Sequence, residues 1–145
     1  MIAMIFSAVA GATMSVQGVI NTRLSEKIGL YESNMFVQGT AFLFSIIALI
    51  FLGKGSFSNI NEVSKVYFIG GLLGIIITIT VMLGIKGLTP TIAISIILIS
   101  QLLVAALIDY FGWLGTEKAP FEWTKFLGLG FMIAGVLLFK YNMKK

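Results

Sequence analysis

The sequence predicts an all-α membrane protein, a bundle of five transmembrane helices. Of its 145 residues, 58% are hydrophobic and only 11% charged. A soluble domain carries about a quarter charged residues, because its surface must meet water. The charges that are present fall between long apolar blocks, so the excess is organised into spans.

The spans follow in order at residues 2–22, 33–53, 66–85, 89–111 and 123–140, within a single transmembrane domain over residues 1–145. Arg23 closes the first block, Glu32 and Lys54 flank the second, and Lys65 and Lys86 flank the third. Each of the first four is roughly 20 residues long, enough at about 1.5 Å per residue to cross a hydrocarbon core of about 30 Å. The N-terminal block lacks a basic leader and is longer than a signal-peptide core, so it reads as a retained span. In the fourth, Pro90 belongs in the first helical turn, where its missing N–H is harmless. The fifth is shortest, with 14 uncharged residues at 126–139. Trp123 and Tyr141 bracket it as interfacial aromatics, and Lys125 and Lys140 can extend from its ends to the headgroups. Barrel strands would alternate in polarity over about ten residues, and no such alternation occurs. The connections predicted are residues 23–32, 54–65, a tight turn from Lys86 to Pro90, and residues 109–125.

Several chemistries are excluded by composition. There is no cysteine and no histidine, which removes disulfides, thiol nucleophiles and His-based acid–base groups. No nucleophile–base pair or metal-ligand cluster is visible, so an enzyme is not expected, nor is a cofactor or metal. The net charge of +4 comes from singly scattered basic residues. They form no patch for nucleic acid, and they suit the headgroup regions of a lipid bilayer.

Five spans put the termini on opposite sides. Arg23, Lys27, Lys86, Lys140, Lys144 and Lys145 then share one side, and Lys54, Lys65, Lys118 and Lys125 the other. That imbalance is small against the excess of Lys and Arg that fixes orientation. A chain so balanced can insert both ways and assemble as an antiparallel homodimer, or pair with a close paralogue. Ten helices in two inverted halves would reproduce the repeat that many transporters hold in one polypeptide.

Small residues mark surfaces for close helix packing. Ser7, Gly11 and Ser15 form such a stripe on the first helix, and Gly70 and Gly74 on the third. Gly128, Gly130, Ala134 and Gly135 do so on the fifth, the candidate subunit contact. They do not say whether the partner helix lies in the same chain.

Polar side chains within spans are few and aligned. Thr13, Gln17 and Asn21 recur every fourth residue on the first helix. Asn34 and Gln38, with Ser45 beyond, do so on the second, and Gln101, Ala105 and Asp109 on the fourth. Residues four apart share a helix face, so three amide stripes are predicted to converge on a polar cavity that binds a small-molecule substrate. The plainer reading is interhelical hydrogen bonding, worth about 1 kcal/mol for each Gln or Asn. Thr78, Thr80, Ser95 and Ser100 are assigned to structure, since their hydroxyls can return to the helix carbonyl one turn back. Asp109 is the one carboxylate near a membrane-embedded position. It is a candidate proton or cation site, or else an interfacial residue capping the following turn. Asp109 is expected near the face opposite Asn21 and Asn34, so an inverted second copy would bring it level with them. Gln101, about 12 Å deeper at helical rise, would approach the middle in both copies.

Two stretches carry a resemblance: Gly11-x5-Gln17-x3-Asn21-x2-Leu24, and Gln101-Leu-Leu-Val-Ala-Ala-Leu-Ile-Asp109-Tyr-Phe-Gly112-Trp-Leu-Gly115. With five spans in this length, the chain resembles the YdcZ-type inner-membrane proteins of the drug/metabolite transporter superfamily over nearly its whole extent. The resemblance implies a bacterial inner-membrane exporter, half of a ten-helix relative, in dual-topology, paired or fused form. Gln17, Asn21, Gln101 and Asp109 match the family pattern. Tyr110 departs from it, standing where His often follows the Asp. The first-helix Glu of the small multidrug-resistance relatives is missing, so their one-carboxylate exchange mechanism does not carry over.

The leading expectation is an alternating-access transporter of a small polar or cationic molecule. A passive facilitator and a non-transporting membrane subunit of a larger complex remain the alternatives.

Overall fold

In a computed structural model, residues 1–120 and 122–141 are described; Lys144 and Lys145, counted above for orientation, lie outside them. Among the described residues there is no strand, and five helices are long and apolar enough to cross a membrane. They are α1 (Ile2–Ile28), α2 (Leu30–Leu52), α3 (Gly70–Gly87), α4 (Pro90–Phe111) and α5 (Trp123–Tyr141). The chain is therefore an all-α multi-pass membrane protein.

The first connection differs from the one predicted. Arg23 ends the uncharged stretch of α1, but it does not end the helix. Arg23, Glu26 and Lys27 continue it, with Arg23 Nη1 and Glu26 Oε2 paired at 3.0 Å one turn apart. Good helix formers extend a span into the headgroup region, because the backbone needs no change to leave the hydrocarbon. The turn itself is the single residue Gly29, at φ 103° and ψ 158°. L-residues rarely hold that φ, which explains glycine there. Its N–H donates to the Ser25 carbonyl at 3.1 Å, and its carbonyl accepts from Ser33 N–H at 3.1 Å.

After α2, residues 57–62 and 65–69 form two short 3-10 helices, and α3 begins at Gly70. The span predicted over residues 66–85 falls within the helical stretch Lys65–Gly87, which begins as a 3-10 helix and becomes α at the Gly70–Gly71 pair. Pro90 takes the first position of α4 with Thr89 before it. Thr80 and Ser95 donate back to the carbonyls of Ile76 and Thr91, as structural hydroxyls do.

The chain divides into two compact units, Met1–Gly87 and Leu88–Lys145. In the first, α1 packs on both α2 and α3, and α2 packs on α3. Its buried residues are confined to one end of the bundle: Gly18 to Ser25 on α1, Ser33 and Asn34 on α2, Met82 and Ile85 on α3. Residues 1–14 of α1 and 41–52 of α2 stay exposed. In the second unit α4 packs against α5, and α5 contains no buried residue.

Candidate functional site

The packed end of the first unit is built from small and polar side chains. Gly18 allows the approach of α3: a Cβ at this position would stand 3.0 Å from both Val81 Cγ1 and Ile85 Cδ1. Thr22 Oγ1 donates to the Gly18 carbonyl at 2.7 Å, and Ser25 Oγ to the Thr22 carbonyl at 2.7 Å. Both hydroxyls are thereby satisfied within α1. Ser33 joins three helices. It is fully buried, donates to the Asn21 carbonyl of α1 at 3.3 Å, and lies 3.7 Å from Met82 Sδ of α3.

Asn21 and Asn34 belong to this knot, at 6% and 8% exposure. Asn34 Oδ1 is buried without a hydrogen-bond partner. An orphaned acceptor of this kind costs about 1–3 kcal/mol unless a donor reaches it. One helical turn further along α2, half-buried Gln38 donates from Nε2 to Thr78 Oγ1 at 3.3 Å. Thr78 passes the bond on to the Gly74 carbonyl at 2.8 Å. A Cβ on Gly74 would stand 3.7 Å from Gln38 Nε2, so that glycine lies beside the α2–α3 bond.

Gln17 and Gln101 are placed differently. Gln101 is exposed on α4, and Gln17 is exposed on α1, outside the knot. Thr13, in line with Gln17, is exposed, and its hydroxyl returns to the Val9 carbonyl at 2.8 Å. The stripe on α1 therefore splits: Asn21 turns into the packed end, Gln17 stands at its margin, and Thr13 stays outside. Gly11, Gly70, Gly128, Gly130 and Gly135 have nothing within 4 Å of where a Cβ would stand.

In the second unit, half-buried Asp109 sits near the end of α4. Beyond it Gly112 caps the helix at φ 66°, and Leu114 and Gly115 also hold positive φ, 58° and 83°. These left-handed residues double the chain back, so that Ala119 N–H donates to the Asp109 carbonyl at 2.9 Å. The Asp109 backbone thus closes the turn. Its side chain lines a cavity of about 290 Å³ between α4 and α5, together with Lys125, Leu102, Gly128, Leu129 and Met132. Lys125 Nζ donates to the Pro120 carbonyl at 3.3 Å. Two further cavities in this unit, of about 440 and 330 Å³, have mostly apolar walls. Among the described residues no amide side chain lines any of the three.

Sequence reasoning picked out Asn21, Asn34, Gln38 and Asp109 but missed Ser33, Gly18 and the place of Lys125 beside Asp109. Hydroxyls and glycines are common in spans, and nothing in their spacing distinguishes Ser33 or Gly18 from their neighbours. Lys125 was legible: Gly112, Gly115 and Pro120 between the two charges signal a hairpin. Among the described residues no group of three His, Cys, Asp or Glu side chains is positioned to hold a metal ion.

Five apolar helices with sparse, partly buried amides define a polytopic membrane protein of the kind that handles solutes. Residues 2–138 match the family model described as "Putative inner membrane exporter, YdcZ". The chain belongs to this family, and hence to the multi-pass exporters of the inner membrane. No curated protein and no solved structure matches it.

Proposed function

We propose that the chain exports a small polar or cationic molecule by alternating access, as an antiparallel dual-topology homodimer of ten helices. One observation carries this reading: Gln101, within an apolar span, is exposed on the single chain. An amide facing hydrocarbon loses its hydrogen bonds to water and gains none. A second copy supplies both cover and partners. The open glycines of α1, α3 and α5 permit that approach, since small residues let helix backbones come close.

Gln17, Asn21, Asn34, Gln38 and Gln101 then contact substrate, with the orphaned Asn34 acceptor ready for a donor on it. Asp109 holds a proton or a cation. Inverted halves place the two copies of each residue on opposite sides of the midplane, which gives the dimer two equivalent access states.

The test begins with a ligand screen by thermal stabilisation of the purified protein, because a ligand raises stability only by binding the folded state. A hit is then followed in sealed liposomes for flux driven by an imposed pH or ion gradient. Uphill movement that Asp109→Asn abolishes supports the reading. Flux that ignores every gradient marks a passive facilitator and overturns it.

A further inference from the structure

The α4–α5 cavity combines three features that together narrow its ligand. Its walls are largely aliphatic, one acidic and one basic residue, Asp109 and Lys125, line it, and its volume is about 290 Å³. Small-molecule sites span about 300–1,000 Å³, so this one suits a metabolite rather than a two-chain lipid. A simple cation drawn to Asp109 would meet Lys125, and a simple anion drawn to Lys125 would meet Asp109. Like charges brought together repel. A molecule bearing both charges on an apolar body satisfies the two at once.

We infer that this cavity takes a zwitterionic amphiphile of metabolite size, such as an α-amino acid with an apolar side chain. Its ammonium sits on the Asp109 carboxylate and its carboxylate on the Lys125 ammonium, while its apolar part lies against Leu102, Leu129 and Met132. Gly128 leaves the space: nothing stands within 4 Å of where its Cβ would be. Naming the bound molecule as the transported one rests on the exporter reading above. Its presence in the cavity does not.

The experiment measures equilibrium binding to the purified full-length chain in detergent, with no gradient and no flux, so it succeeds or fails independently of transport. The probes are leucine, isoamylamine (the ammonium alone), isocaproate (the carboxylate alone) and phosphatidylethanolamine in mixed micelles. Leucine is expected to bind at least tenfold more tightly than either single-charge analogue. Asp109→Asn and Lys125→Gln each weaken leucine at least tenfold. They do so with opposite changes in rank, isocaproate gaining on isoamylamine in the first and losing to it in the second. Gly128→Leu, which fills the space without meeting a neighbour, abolishes binding while the helical content is unchanged. The inference is overturned if leucine does not bind, if either analogue equals it, or if Lys125→Gln and Gly128→Leu bind leucine like the parent. Stabilisation by phosphatidylethanolamine alone, sensitive to the same substitutions, overturns it too, by making the occupant a lipid headgroup.

Discussion

Gln38 Nε2 donates to Thr78 Oγ1 at 3.3 Å, and this bond ties α2 to α3 within the membrane-spanning region. Thr78→Val keeps the shape and removes the acceptor. A loss of about 1 kcal/mol is expected, the usual size of an interhelical bond of this kind. Combined with Gln38→Leu in a double-mutant cycle, the two losses fall short of additive. Reversible unfolding in mixed micelles reads the coupling.

The orphaned Asn34 acceptor separates stability from activity. Asn34→Leu replaces it with an apolar group of similar size, which is nearly neutral or stabilising by up to about 1 kcal/mol. Transport of the identified solute is expected to fall at least tenfold. A variant that is destabilised yet transports normally would place Asn34 in the scaffold alone.

Two glycines on one face of α1, Gly18 at its packed end and Gly11 on its exposed part, respond in opposite ways. Gly18 meets Val81 and Ile85, so Gly18→Leu overpacks the contact and costs about 1–3 kcal/mol. Gly11 has open space around it, so Gly11→Leu leaves the fold of the single chain intact and weakens the dimer. Unfolding midpoints and the dimer fraction by light scattering distinguish the two.

The chain has no cysteine, so cross-linking starts from a silent background. Of Gly130→Cys and Gly135→Cys, introduced singly on opposite sides of α5, one is expected to form disulfide-linked dimers in oxidised membranes, since only a position near the two-fold axis meets its own copy. Gly55→Cys, in the loop before the first 3-10 helix, is not. Monomers at all three positions would remove α5 from the interface.

Orientation is expected to yield to one or two charges. Ser56 and Ser58 lie outside α2 and α3, in the loop that already carries Lys54 and Lys65. Ser56→Lys with Ser58→Lys makes the basic residues on the two sides equal, and further Lys there drives that loop to the cytoplasm. Reporters fused at the C-terminus should change sides as the charges accumulate.

The fold was legible because lipid tolerates few architectures: a long apolar run has to be a helix, so the five helices follow from their hydropathy. Their ends were less so. Arg23 ends the uncharged run, and the helix simply carries on to Gly29. The amides were legible as polar residues in spans, but not as inward or outward. Spacing of four puts Gln17 and Asn21 on one stripe. Yet α3 approaches α1 closely at Gly18, and this end buries Asn21 and leaves Gln17 exposed. Which residues of a stripe become covered depends on the neighbour's position, and one chain's periodicity does not contain that.

The one-residue turn at Gly29 bears on biogenesis. Two spans joined so tightly enter the bilayer as a single hairpin, because no slack exists for one to cross while the other waits. The tip carries Arg23 and Lys27 against Glu26 and Glu32, with Arg23 and Glu26 already in contact. Moving a neutralised tip through lipid is easier than moving an unbalanced one. On the proposed dual-topology reading, the leading third of the polypeptide is then free to reach either face of the membrane, leaving later segments to decide the direction.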